Sequence, residues 1–339
     1  MNDTTASRRT LLAGMTVAGM ALAGLAGMAT SARAGSRAIA HGGPSITLWP
    51  GEVPGAPAKP PARAFQQRST DPTFDDRWMT GVASPSIEVR RPAYQDGSAA
   101  IIIPGGGYGF LSVDNEGEEQ ARWLTERGVT CFILYYRLPG EGWSNRATVP
   151  LQDVQRAVRI VRSRAAEFAI DAKRISVLGF SAGGHLAGSI ATRFDERVYA
   201  PVDAADRLSA RPDLVGMIYP VVTLAQSFVH AGSRDALLGP GSSVAARKAA
   251  SVENRVTEAT PPVFLTHASD DGLVPIANSL AMYGALLEKN PPAELHAFDK
   301  GGHGFGARLA ADVPAHAWPD LFHAYGRRQG IFTAGPDKR

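Results

Sequence analysis

The apolar positions of the chain fall into short runs separated by stretches with helical spacing. Runs at 99–103, 129–135, 174–179, 214–219, 262–267 and 294–298 are rich in aliphatic and aromatic residues and lack strict apolar–polar alternation. Strands of that kind are buried on both faces, as in a parallel sheet. Between two of them, Leu151, Val154, Val158, Val161, Ala165 and Phe168 follow one another at steps of three and four, with Arg156, Arg159 and Arg162 turned elsewhere. That spacing predicts a helix from about Pro150, a residue suited to a first helical turn. Strands alternating with helices predict an α/β fold with a mainly parallel central sheet covered by helices on both faces. Segments 195–212 and 221–260 are polar or rich in Gly, Pro and Ser and fit the alternation poorly. As insertions after strand carboxyl ends they are expected around an active-site mouth.

The first 34 residues stand apart from this pattern. Ser7-Arg8-Arg9-Thr10-Leu11-Leu12 is a twin-arginine signature, a weakly hydrophobic Gly/Ala-rich stretch follows to about Thr30, and Ala32-Arg33-Ala34 forms a small-x-small processing site. Residues 1–34 therefore read as a twin-arginine signal peptide rather than a retained anchor, with no stable membrane insertion after cleavage and a periplasmic or secreted mature chain. Residues 35–63, with prolines at 44, 50, 54, 57, 60 and 61, read as an extended arm laid over the domain or a partly mobile linker. Residues 64–339 are left as the globular domain.

Composition narrows the function by exclusion. Removing a leader with three arginines and one aspartate lowers the net charge from +3 to +1, and no basic stripe is interleaved with aromatics, so nucleic acid is not an expected partner. Cys131 is the only cysteine, which rules out an intramolecular disulfide and a cysteine-rich metal site. Its place in an apolar run predicts a buried, inert thiol.

The chemistry is carried by Gly179-Phe180-Ser181-Ala182-Gly183, which follows the run 174–178 and opens a small-residue helix. Strand, sharp turn and helix are the setting of a nucleophile elbow in an α/β-hydrolase fold, with Ser181 exposed at the turn. A serine hydroxyl needs a base to take its proton and a third group to orient that base, and in this fold the chain order is Ser, acid, His. Of the later histidines, His296 lies within a strand and His316 and His323 lie in a helical stretch, whereas His303 occupies the flexible loop Gly301-Gly302-His303-Gly304-Phe305. His303 is therefore the expected base. Asp270 and Asp271 both follow the run 262–267, and spacing alone leaves either as the acid, the other being solvated or capping a helix near Pro275. Backbone donors for a developing oxyanion are expected from Ala182 and from Gly106 and Gly107 in Pro104-Gly105-Gly106-Gly107-Tyr108. That loop lacks the endings of a phosphate-binding motif. Asn115 and Glu118 have capping-box spacing, so Glu116, Glu118 and Glu119 read as support for a helix dipole rather than a metal site, and His185 reads as a structural helix residue.

With these residues in view the chain resembles the bacterial carbohydrate esterases of the α/β-hydrolase fold, acetylxylan and feruloyl esterase-like proteins, some of which carry the name xylanase. The resemblance runs from about Trp49 onward and rests on the 104–108 loop, on Tyr135-Tyr136-Arg137-Leu138-Pro139, on Gly179 to His185, on His267-Ala268-Ser269-Asp270-Asp271-Gly272-Leu273-Val274-Pro275, and on the 301–305 loop. In such families the acid stands four residues after the strand-ending histidine, which implies Asp271. Proline replaces the histidine that opens the related lipase-type glycine loop, which sets the chain apart from lipid esterases. The resemblance implies a serine esterase without metal or cofactor that removes acyl groups, acetyl foremost, from plant-type polysaccharides or oligosaccharides such as xylan. The same triad would serve a general short-chain carboxylesterase or a small peptidase. A hydrolase fold that has lost activity would serve as a binding module, a reading the complete triad argues against.

Overall fold

The computed structural model describes residues 43–334, so the leader expected at 1–34 and the start of the following arm lie outside the described residues. The strands are β1 (Ser45–Thr47), β2 (Ala64–Gln67), β3 (Arg77–Thr80), β4 (Ser86–Arg90), β5 (Ala99–Ile103), β6 (Leu111–Ser112), β7 (Thr130–Tyr135), β8 (Ile175–Phe180), β9 (Leu214–Ile218), β10 (Val263–Ala268) and β11 (Ala293–Phe298). The helices are α1 (Glu119–Thr125), α2 (Val149–Ser163), α3 (Ala165–Phe168), α4 (Ala182–Arg193), α5 (Ala231–Leu238), α6 (Val244–Ala250), α7 (Ala277–Lys289) and α8 (Trp318–Arg328). No helix of the described residues is long and apolar enough to cross a membrane.

Eight strands form the main sheet in the order β1-β4-β7-β5-β8-β9-β10-β11. From β7 to β11 every neighbouring pair is parallel, while β4 and β1 add an antiparallel edge. The six aliphatic runs of the sequence are the six parallel strands. Their interior is mainly apolar: Ile101, Ile102, Ile133, Val177 and Leu265 are all buried, as strands covered on both faces require. Residues 45–49 of the segment read as an arm are tied into this sheet. Ser45 to Thr47 pair with β4, and Trp49 is buried with its indole N–H on Asp153. A second, three-stranded sheet, β2-β3-β6, flanks the loop after β5.

The strand order decides where a ligand can bind. The chain leaves β5 towards β7 on one side and returns to β8 on the other, so the loops after β5 and β8 diverge and open a crevice at their carboxyl ends. Those loops carry Gly106, Gly107 and Ser181. The loops after β10 and β11 carry Asp271 and His303 at the same end of the sheet. Tyr136 and Arg137, from the loop after β7, brace this end. The Tyr136 hydroxyl donates to the Pro104 carbonyl, and the fully buried Arg137 guanidinium pairs with the equally buried Asp153.

Two expectations need correction. Segment 195–212 follows α4, a helix, and not a strand carboxyl end. It packs on α2, with Arg156 bonded to Asp203 and Asp206 and Arg162 donating to the Arg211 carbonyl, and takes no part in the mouth. Nor do Asn115 and Glu118 form a capping box. Residues Asp114–Glu118 make a π-helical turn that runs into α1 without a side-chain cap. The wider turn points successive polar side chains inward, and each finds its own partner. Asp114 pairs with Arg77, Glu118 with Arg90 and Glu119 with Arg308, so dipole support is not the role of this cluster.

Candidate active site

Ser181 sits at the junction of β8 and α4 with φ 52° and ψ −117°, a left-handed conformation that a side-chain-bearing residue adopts only under constraint. The constraint is visible on both sides of the residue. Its amide donates to the Ile218 carbonyl and its carbonyl accepts from Val221. The flanking glycines allow the close approach. A Cβ on Gly179 would lie 2.2 Å from the Gly183 carbonyl, and one on Gly183 would lie 2.3 Å from the Ile103 carbonyl. Strand and helix could not meet at this angle with any other residue there.

The hydroxyl so presented donates to His303 Nε2 at 2.9 Å, and His303 Nδ1 donates to Asp271 Oδ2 at 2.6 Å. The structure therefore joins the three residues singled out from the sequence into one hydrogen-bonded chain. Four donors converge on the buried Asp271 carboxylate. Oδ1 accepts the amides of Leu273 and Val274, and Oδ2 accepts His303 and, at 3.1 Å, Nε2 of His267. Burial would push this carboxyl up, but the hydrogen bonds from His267 and His303 outweigh it and hold Asp271 well below the usual carboxylate range. The carboxylate form is thereby favoured. Asp270 neither faces the imidazole nor caps α7. Its exposed carboxylate accepts the amide of Gly302, one residue before His303, and lies 3.8 Å from Lys300.

The glycine loop after β5 lies over the nucleophile. Gly106 and Gly107 have φ of 124° and 63°, and among the described residues none accepts from their amides. Ala182 opens α4, where first-turn amides have no helical partner. The amides of Gly106 and Gly107 are thus left without a backbone acceptor, as donors for an anionic oxygen would have to be. His185 braces the loop: its Nδ1 accepts the Tyr108 hydroxyl at 2.8 Å and its Nε2 donates to the Ala250 carbonyl at 2.9 Å, the structural part expected of it.

Sequence reasoning missed the residues that lock these loops together. Glu116 is buried beneath the site, where one carboxylate oxygen accepts the Gly105 amide at 2.8 Å and the other the Tyr219 hydroxyl at 2.9 Å. The Tyr219 oxygen in turn accepts the Gly306 amide, and its ring lies edge-on to His303 with centroids 5.0 Å apart. Burial raises the Glu116 carboxyl, opposed by nearby His303 and by the Gly105 and Tyr219 donors. One side chain therefore fixes both the oxyanion loop and the histidine loop. Asn115 adds a second tie, donating to the Gly304 carbonyl. In sequence these residues read as an acidic run at a helix start.

Glu116→Ala is expected to leave two buried donors unpaired and to loosen both loops. kcat should fall on the order of 10²-fold, the scale of a misplacement of about 1 Å in the reacting groups. Steady-state kinetics beside a melting curve checks this, and unchanged kcat in a folded variant would contradict it.

His185 gives a pH dependence of stability. Burial pushes its pKa from 6.5 down to about 4. Between those values the unfolded chain takes up a proton that the folded chain refuses. The folded state is thus favoured above pH 6.5 and loses that margin, about 3 kcal/mol, as the pH falls towards 4. Urea unfolding of the wild type is expected to show a steeper acid loss than His185→Gln, and equal slopes would refute the assignment.

Fold and site together define a serine hydrolase of the α/β-hydrolase class. Residues 87–286 match the BD-FAE family, and the chain belongs to it. The chain is 34% identical to the acetyl ester-xyloside bifunctional hydrolase of Caldicellulosiruptor lactoaceticus, whose crystal structure superimposes with a TM-score of 0.71 over 86% of this chain and 98% of that one. It is also 37% identical over 204 residues to endo-1,4-beta-xylanase B of Butyrivibrio fibrisolvens, and 32% identical over 219 residues to the acetylxylan esterase of Xylanibacter ruminicola. These matches take in 60% and 63% of this chain but only 32% and 42% of the two relatives' lengths. Esterase 2 of Thermogutta terrifontis shares the fold at 21% identity, with a TM-score of 0.62 over 81% of this chain and 97% of that one.

Proposed function

We propose that this protein removes acetyl groups from acylated plant-type oligosaccharides such as those of xylan, through an acyl-enzyme on Ser181. The observation that carries the proposal is the hydrogen-bonded chain from Ser181 through His303 to Asp271, set beneath unpaired glycine amides. Ser181 Oγ attacks the ester carbonyl carbon while its proton passes to His303 Nε2. Asp271 holds the Nδ1 proton and stabilises the imidazolium. The amides of Gly106, Gly107 and Ala182 take the negative oxygen of the tetrahedral intermediate. His303 returns its proton to the leaving sugar oxygen, and a water activated by the same imidazole then releases acetate and restores Ser181.

The substrate class is supported by the acetylxylan esterase and acetyl ester-xyloside hydrolase among the relatives. The twin-arginine leader supports a place outside the cytoplasm, where plant polysaccharide fragments are met. Acetate release from acetylated xylo-oligosaccharides and from p-nitrophenyl acetate, measured beside cleavage of aminopeptide substrates, tests the reading. Turnover of both esters and of no peptide is expected. Peptide cleavage without deacetylation of the oligosaccharides would overturn it.

A further inference from the structure

The insertion 221–260 places a second imidazole at the mouth of the site. His230 precedes α5 and is half-buried. Its Cε1 edge faces the oxyanion loop, 4.0 Å from where a Cβ on Gly107 would stand. The protonation of the ring is fixed by its neighbours. Nδ1 lies 3.3 Å from the backbone amide of Ser233, a group that can only donate, and 2.8 Å from the Ser233 hydroxyl. Nδ1 is therefore an acceptor, and the ring proton sits on Nε2. Burial and the nearby His303 both push the His230 pKa down, with Asp271 opposing, which favours the neutral ring. Among the described residues Nε2–H has no acceptor. The reaction chain described above has no use for this group.

A neutral donor beside Gly107 and within electrostatic reach of His303 is placed to meet the alcohol part of an ester, since His303 Nε2 must protonate the departing oxygen. Being uncharged, it adds no cation that would weaken His303 as a base. We infer that His230 is a specificity-determining residue whose Nε2–H donates to a hydroxyl or ring oxygen of a polyhydroxylated alcohol, so that the site selects sugar esters over esters of plain alcohols. The inference rests on the esterase reading of the site and names what that site recognises beyond the acyl group.

The test compares kcat/KM for a methyl mono-O-acetyl-xylopyranoside with that for cyclohexyl acetate, which has the same ring size and no hydroxyls. Wild type is compared with His230→Ala and with His230→Asn. Asparagine keeps an oxygen to cap α5 through Ser233 but is too short to extend a donor to the sugar. The wild type is expected to prefer the sugar ester, and that preference to fall about five- to tenfold in both variants, mainly through KM. This is the scale of one neutral hydrogen bond to substrate. A preference retained in the variants, or equal losses on both esters, would overturn the role of His230 while leaving the carbohydrate reading intact. A wild type that does not favour the sugar ester would overturn both. A chain that turns over neither ester would instead show the esterase reading itself to be wrong.

Discussion

Ser181→Ala is expected to abolish ester hydrolysis, with kcat reduced on the order of 10⁶-fold, while the protein keeps its fold. Alanine retains the Cβ that already tolerates φ 52° and removes only Oγ, so the bonds of residue 181 to Ile218 and Val221 remain. What is lost is the nucleophile and the acceptor of the acyl group. Any residual rate would come from binding and from the amides of Gly106, Gly107 and Ala182, which lower the barrier for water by a smaller amount. Circular dichroism and kcat measured on the same preparation decide the matter. A folded variant with near wild-type activity would remove Ser181 from the mechanism.

The second large effect separates two adjacent aspartates. Asp271→Asn should reduce kcat on the order of 10⁴-fold. The carboxylate receives two backbone amides on Oδ1 and two imidazole N–H groups on Oδ2, and asparagine offers only one oxygen for these four donors. If that oxygen stays with Leu273 and Val274, the amide NH2 faces His303 Nδ1 and forces the ring proton onto Nε2. The imidazole then cannot accept the Ser181 proton. Asp270→Asn should cost only a few-fold, because an amide oxygen can still accept from Gly302 and the side chain is exposed. Equal losses in the two variants, or a greater loss at Asp270, would reverse the assignment.

The contrast between these neighbours shows where sequence reasoning succeeds and where it stops. The central strands were legible because burial on both faces removes polar residues and leaves runs such as Ala99–Ile103. The elbow was legible because its geometry excludes side chains at Gly179 and Gly183, and His303 because glycines surround it. Spacing could not divide Asp270 from Asp271, since both follow β10 and only the turn of the loop decides which one faces inward. β2 was missed because Ala64 to Gln67 are all exposed and half of them are polar, and β1 because it is three residues long. Glu116, Tyr219 and His230 were missed for another reason. Their roles arise from contacts across roughly a hundred residues of chain, as between Glu116 and Tyr219, and no local pattern records such a contact. A carboxylate in a run of acidic residues reads as a solvated helix start until the fold buries it.

The buried Glu116–Tyr219 pair also bears on how the site keeps its shape. The glycine loop and the histidine loop both reach the nucleophile, and neither has regular secondary structure of its own. Preorganisation of backbone amides is effective only when the loop that bears them does not relax around the developing charge. Here the loops are held by Glu116, Asn115 and Tyr108 to rigid parts of the fold.

Mass analysis of acetylated xylo-oligosaccharides, incubated separately with wild type and with Ser181→Ala, tests the central claim most directly. Stepwise loss of acetyl groups with the sugar chain length unchanged is predicted for the wild type, and no change for the variant. Shortened sugar chains that keep their acetyl groups, or deacetylation by the variant equal to that of the wild type, would contradict it.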